Sequence, residues 1–356
     1  MRVHKRSTHT EGGEVRRTLT KRPSFYHHLH PPRVPLREAR FRYTFGLGGI
    51  SLLMVLVLLV TGLLEMFYYV PSLEEANKSL HQITLLVPYG SVIRGLHYWA
   101  AQLLVVTSLL HLMRVAFTGG YKGGRRFNWL LGLSLLVMVL FFDFTGYALR
   151  WDEDIAWALK VGTNLLRTIP YAGEGLYALV VGGDEIGRPT VVRIFGWHVY
   201  GLVLVAAIFT GWHLFRVRRD GGISRADKKG PTISRNELVR REALAALMAL
   251  IGLLLLTVFF PPSLAPPANF DGLPAEATAP WFFLWIQELL RLGPPLWMGV
   301  IMPLVLLVGL VLVPYALDRS AEGEGLWFNR PGRLAQIVVF LIVAIIVALT
   351  LVGVLR

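Results

Sequence analysis

Residues 93–115 read IRGLHYWAAQLLVVTSLLHLMRV, and residues 193–217 read RIFGWHVYGLVLVAAIFTGWHLFRV. Each stretch is apolar and long enough to cross a bilayer as a helix, which takes about 20 residues. Each carries two histidines towards its ends, His97 and His111 in the first, His198 and His213 in the second. The surroundings repeat as well. His97-Tyr98-Trp99 is answered by His198-Val199-Tyr200, and His111-Leu112-Met113-Arg114-Val115 by His213-Leu214-Phe215-Arg216-Val217. An ionisable ring inside a membrane is costly and marks a functional position, unless a neighbouring helix absorbs it with a hydrogen bond. One isolated histidine fits that ordinary alternative, but two pairs at nearly equal spacing do not.

Residues 14 apart on a helix turn through about 1400°, some 40° from whole turns, and rise about 21 Å. His97 and His111 therefore leave the same face at two depths. The 15-residue interval from His198 to His213 predicts about 60° of offset and about 22 Å of rise. The two stretches cross in the same direction, so His97 meets His198 and His111 meets His213. A zinc site wants more than two protein donors. Two imidazoles facing across a flat gap suit a low-spin haem, and two such haems make an electron path through the bilayer.

Working outward, seven apolar runs are long enough to span, at 44–68, 94–117, 129–149, 194–216, 242–260, 295–316 and 333–354. The fold class is all-α and polytopic, a four-helix dihaem bundle followed by a three-helix C-terminal part. The organisation reads as a basic segment 1–43, a four-helix part 44–230 and a three-helix part 231–356. Alternating crossings put 27 of the 36 Lys and Arg residues on one face. By the positive-inside rule that face, with the N-terminus, is cytoplasmic and the C-terminus is outside, as in a bacterial cell (inner) membrane. The net charge of +13 thus sets topology in lipid rather than pointing to nucleic acid. There is no cysteine, which excludes a thioether-attached haem, a cysteine-held iron–sulfur cluster and a disulfide on this chain. No cleavable signal peptide is expected. His27, His28 and His30 lack carboxylate or thiol neighbours and read as a juxtamembrane segment rather than a metal site.

Gly48 and Gly62 are 14 apart in the first run, and Gly132 and Gly146 in the third. Glycine in membrane helices ordinarily serves helix packing, but the repeat of the histidine interval reads as clearance for a porphyrin face at each level. Arg94 and Arg193 precede the outer histidines, and Arg114 and Arg216 follow the inner ones. Arginine pairs with carboxylates bidentately, so these read as haem-propionate partners. Snorkelling to headgroups is the ordinary alternative, weighted equally at Arg216.

With IRGLHYW at 93–99, TGYALRWD at 145–152 and VRRDGGIS at 217–224 added to the histidines and glycines, the chain resembles the cytochrome b/b6 family from 44 to 356. The 15-residue interval and the four-plus-three helix count resemble the chloroplast-type protein fused to its smaller subunit. The resemblance implies two b haems and a quinol oxidised near the outer one. One electron passes to a Rieske-type iron–sulfur protein, with c-type cytochrome subunits as further partners in a dimeric complex, and the other crosses to an inner quinone site. It implies Tyr147 and the 150–165 loop beside the outer site, with Trp281 and Phe282, and Arg218 near the inner one; menaquinol is the donor expected.

Three departures stand out. The family's Pro-Glu-Trp-Tyr signature falls on Ala279-Pro280-Trp281-Phe282, so its proton-accepting glutamate becomes a proline. That role passes to Glu288, or to Asp152, Glu153 or Asp154, with a solvated or partner-facing carboxylate the ordinary reading of Glu288. Gly46 stands where the chloroplast-type protein attaches an extra haem, and Arg150 replaces a proline. A dihaem membrane anchor of a quinone-linked dehydrogenase or reductase, without electron bifurcation, is the competing enzyme reading. A transporter or assembly factor that keeps only the fold is the non-enzymatic one.

Overall fold

The computed structural model describes residues 31–223, 230–270 and 278–356; His27, His28 and His30 lie outside the described residues. Among the described residues, seven helices are long and apolar enough to cross a membrane: α1 (Leu47–Met66), α3 (Gly90–Phe117), α4 (Gly123–Ala148), α7 (Arg188–Arg219), α8 (Arg235–Phe259), α10 (Leu296–Leu317) and α11 (Arg330–Leu355). The chain is a multi-pass membrane protein. Between the spans lie α2 (Ala76–Leu85), α5 (Glu153–Arg167) and α6 (Gly173–Val181), and α9 (Trp281–Leu290). Many large apolar side chains of the spans face outward as bare hydrocarbon, as Leu56, Leu59, Val60 and Leu63 do on α1. That is the surface a lipid solvent requires once backbone groups are bonded within each helix.

Several helices run further than their apolar runs. α4 starts at Gly123 and α7 at Arg188, because arginines at a span's end extend into the headgroup zone while their stems stay in hydrocarbon. α1 starts late, after Gly46, whose φ of +65° is a left-handed turn that glycine adopts without strain.

Three buried clusters hold the spans together. Near the inner face, named for its basic charge, Leu112 and Ala116 of α3 and Trp129 and Leu133 of α4 pack on Leu310 and Val313 of α10 and Ala335 and Val339 of α11. Mid-bundle, Met54, Ala100, Leu104 and Leu253 join α1, α3 and α8. At the outer face, Ala148, Trp151, Ile155, Leu159, Val191 and Ile194 seat α5 against α4 and α7. The four-helix and three-helix parts therefore share packing at the inner face and mid-bundle. Short strands β1 (Arg33–Pro35) and β2 (Thr232–Ser234) pair antiparallel. Lys122, 1 % exposed, meets Asp318 at 2.8 Å, and Tyr121 donates to the same carboxylate at 2.6 Å.

Candidate functional site

The four span histidines come together in two pairs. At the outer level the rings of His97 on α3 and His198 on α7 have centroids 6.4 Å apart at 61°. A metal–imidazole bond of about 2 Å puts each ring centroid roughly 3 Å from the metal, so a trans pair needs about 6 Å. The observed gap accommodates that arrangement. At the inner level His111 and His213 are electrostatic neighbours.

The 15-residue interval is reconciled locally. Trp197–Gly201, which includes His198, forms a π-helical turn inside α7. A π-turn absorbs one extra residue within a helix, so the offset expected for an unbroken α-helix is removed and α7 presents its histidines in step with α3.

The paired glycines face the histidines themselves. A Cβ built on Gly62 would lie 3.0 Å from His97 Cε1, and one on Gly146 2.9 Å from His198 Cε1. Gly48 would approach His111 at 3.1 Å and Gly132 would approach His213 at 3.4 Å. The sequence reading assigns this clearance to a porphyrin face; the atoms that need it first are the imidazoles, which can stand upright against α1 and α4 only where no side chain intervenes.

Two residues that the sequence reading passes over orient the outer rings. His97 Nδ1 lies 2.9 Å from Thr61 Oγ1, and His198 Nδ1 lies 2.9 Å from Thr145 Oγ1. Each threonine donates its one proton to a backbone carbonyl, Thr61 to Val57 at 2.7 Å and Thr145 to Phe141 at 2.8 Å. Towards the histidines both hydroxyls therefore accept, and Nδ1 carries the hydrogen. That tautomer leaves the Nε2 lone pair for a ligand. The repeated Thr-Gly at 61–62 and 145–146 is the signal that marks them.

The arginines divide. Arg114, 3 % exposed, donates from Nε to the Tyr43 carbonyl at 3.2 Å, stacks over the Tyr43 ring, and keeps a buried Nη2 without a hydrogen bond. An open buried donor of this kind suits a carboxylate ligand. Arg216 pairs with Asp220 at 3.0 Å and donates to Gly124 O. Arg94 and Arg193, expected at propionates, have other tasks. The terminal nitrogens of Arg94 donate to Pro262 O and Ser263 O at 3.0 and 2.6 Å. Arg193 donates to Ala178 O and Leu179 O at 2.8 and 2.6 Å, capping α6.

Beside the outer pair, Tyr147 meets Phe282 edge-on at 6.4 Å, Phe144 meets Phe283 at 5.9 Å, and Trp281 donates to Gln102 Oε1. These contacts make an aromatic seam between α4 and α9. Asp152, 1 % exposed, caps α5 through Ile155 N and pairs with Arg150 at 2.6 Å. Burial lifts its carboxyl above the ordinary range, with Arg150 pulling the other way. Arg150 also lies 4.6 Å over the Tyr147 ring and pairs with Asp154 at 2.9 Å. Glu288 is not the open carboxylate the sequence reading considers for proton transfer. It is buried between Arg291 at 3.2 Å and Arg356 at 3.1 Å, against Gly353 of α11. Arg218 is half-buried on the last turn of α7, on the inner face.

Comparison with known proteins follows these lines. Residues 36–221 match the family model described as cytochrome b/b6/petB, and residues 267–356 match cytochrome b(C-terminal)/b6/petD. Cytochrome b6 of Synechococcus sp. (strain JA-3-3Ab) is 37 % identical over 177 residues, 50 % of this chain and 82 % of that protein. Cytochrome b6 of Porphyra purpurea is likewise 37 % identical over 177 residues, with the same shares. A chain of a solved structure, "Hyperthermophilic respiratory Complex III", superposes with a TM-score of 0.71 at 23 % identity, covering 88 % of this chain and 91 % of that one, a likeness of fold. Matched in both halves of one polypeptide, and 37 % identical to proteins that it spans over most of their length, the chain belongs to the cytochrome b/b6 family.

Proposed function

We propose that the protein is the dihaem cytochrome b subunit of a quinol-oxidising, bc-type membrane complex, moving electrons between an outer and an inner quinone site. The observation that carries this reading is the outer ring pair, 6.4 Å apart with both Nδ1 atoms tied to threonine. His97 and His198 would hold one haem b, and His111 and His213 the other. When bound, these groups supply reversible one-electron transfer. The chain's own residues do the rest. Thr61 and Thr145 hold the ring tautomer, the four glycines let the imidazoles stand between helices, and the open Nη2 of Arg114 takes an inner propionate. Tyr147, Phe282 and Trp281 wall an apolar outer site in which a quinol ring packs away from water. Arg218 stands at the inner quinone site, and menaquinol is the donor. The family match and the absence of cysteine support an iron–sulfur protein and c-type cytochrome as separate subunits of a dimeric complex. The basic inner face supports a cell-membrane location with the N-terminus in the cytoplasm.

Pro280 favours the membrane-anchor alternative, since proline cannot accept a proton. One preparation separates the two readings: purification from native membranes, with reduced-minus-oxidised spectra, subunit identification and quinol:cytochrome c assays. Two b haems, an iron–sulfur subunit and turnover blocked by outer-site inhibitors are expected. A haem-free protein overturns the proposal, and a molybdenum, nickel or flavin subunit without an iron–sulfur protein replaces it with the anchor.

A further inference from the structure

Two acidic side chains at the outer end that take no part in an ion pair, Glu65 and Asp143, keep a buried carboxylate oxygen with no hydrogen-bond partner among the described residues, and Asp143 is the one on α4. Asp143 lies inside α4, is 8 % exposed, and its Oδ2 is buried with no hydrogen-bond partner among the described residues. A carboxylate in a membrane span is costly and marks function. Helical phase tells where it faces. Leu136 of the same helix packs into the cluster shared with α10 and α11. Asp143 is seven residues on and Tyr147 eleven, each within about 20° of Leu136 around the axis. Tyr147 on that stripe meets Phe282, so Asp143 faces the seam one turn deeper than the Tyr147–Phe282 contact. The adjacent face of α4 serves the rings, with Gly146 and Phe142, about 60° and 100° round the axis from Asp143, against His198.

The neighbouring acids are already committed. Asp152 and Asp154 share Arg150, and Glu288 is held by Arg291 and Arg356. Glu153 is exposed at the start of α5. Glu65 stands beside His97 and Arg94 on α1, against the ring pair rather than the aromatic seam.

We propose that Asp143 is the base that receives a proton from quinol at the outer site, an inference that rests on the quinol-oxidising reading above. Oxidation of quinol to quinone breaks two O–H bonds and releases two electrons. One electron goes to the haem held by His97 and His198, the other to the iron–sulfur partner. One proton forms a new O–H bond on the Asp143 carboxylate, and the second leaves to water at the outer face. One turn outward of Asp143 on α4, Tyr147 begins a line of polar groups that runs through Arg150 to Asp152 and the half-exposed Asp154.

The test uses the purified complex carrying Asp143→Asn, with both haem spectra confirmed. Single-turnover reduction of the outer haem by quinol is expected to slow about 100-fold, within the range for a lost general base, at unchanged KM. Asp143→Glu, which keeps the carboxyl, is expected to retain most of the rate. In redox-induced infrared difference spectra without turnover, a deuterium-sensitive carboxyl signal of the wild type is expected to vanish in the Asn variant. Should Asp143→Asn lose haem, Asp143→Ser takes its place. An Asn or Ser variant as fast as wild type, a Glu variant as slow as Asn, or an unaltered infrared signal overturns the assignment of Asp143. A wild-type complex that quinol does not reduce overturns the quinol-oxidising reading itself.

Discussion

At the outer level the imidazoles of His97 and His198 each have a threonine hydroxyl 2.9 Å from Nδ1. At the inner level the residues in the matching places, one before each glycine, are Leu47 and Leu131. There Nδ1 of His213 is buried and meets the backbone of Asn128 in place of a hydroxyl. Clearance differs in the same sense, 3.0 and 2.9 Å at Gly62 and Gly146 against 3.1 and 3.4 Å at Gly48 and Gly132. The cations differ the other way. Outer Arg94 and Arg193 are bonded to backbone carbonyls, while inner Arg114 keeps an open buried donor. One level is fixed through its axial rings, the other offers charge to the edge of its ligand. A ring that donates through Nδ1 is a more basic ligand, which favours the oxidised metal. On the dihaem reading proposed above, the outer level would hold the haem of lower potential, and electrons entering there would run inward.

The largest effect expected is all-or-none. His97→Ala or His198→Ala removes the outer haem alone, and His111→Ala or His213→Ala the inner alone, read as haem content falling from two to one per chain. Two reducible haems surviving in all four variants would break the comparison at its root. Next comes clearance. Gly146→Ala forces a Cβ to 2.9 Å from His198 Cε1, and overpacking of that order costs about 1–3 kcal/mol, so the outer haem should become easier to strip with detergent. Gly132→Ala, at 3.4 Å from His213, should leave the inner haem nearly as firmly held. Equal losses at both levels would erase the distinction. The smallest effect is the sharpest. Thr61→Val or Thr145→Val deletes one neutral hydrogen bond of about 0.5–1.5 kcal/mol. At 59 mV per tenfold change for one electron, the outer potential should rise by roughly 20–60 mV in a redox titration while the inner one stays put.

Much of this was open to reading from the sequence, because a membrane makes periodicity and charge speak loudly. Seven spans and the face shared by His97 and His111 follow from hydropathy and the 3.6-residue turn. The sequence gives no sign of contacts to partners distant in the chain. Arg94 sits in helical register with a ligand histidine, yet carbonyls 168 and 169 residues away claim it. Glu288 reads as a spare base until Arg291 and Arg356 are seen on either side. The threonines were legible and passed over, since Thr-Gly recurs at two places before a glycine already singled out. The π-turn was not legible, because nothing in WHVYG dictates it. It arises from the demand that both ends of α7 meet fixed partners.

That turn also gives the fourth span a tolerance that the unbroken α-helix of α3 lacks. Losing one residue between Trp197 and Gly201 would let the backbone relax into an ordinary α-helix, with both ligands still in phase at the interval used by α3. Losing one between Leu202 and Trp212 would swing His213 by about 100° away from its companion. Between its two histidines, therefore, α7 can shorten by one residue at the π-turn without losing their common face.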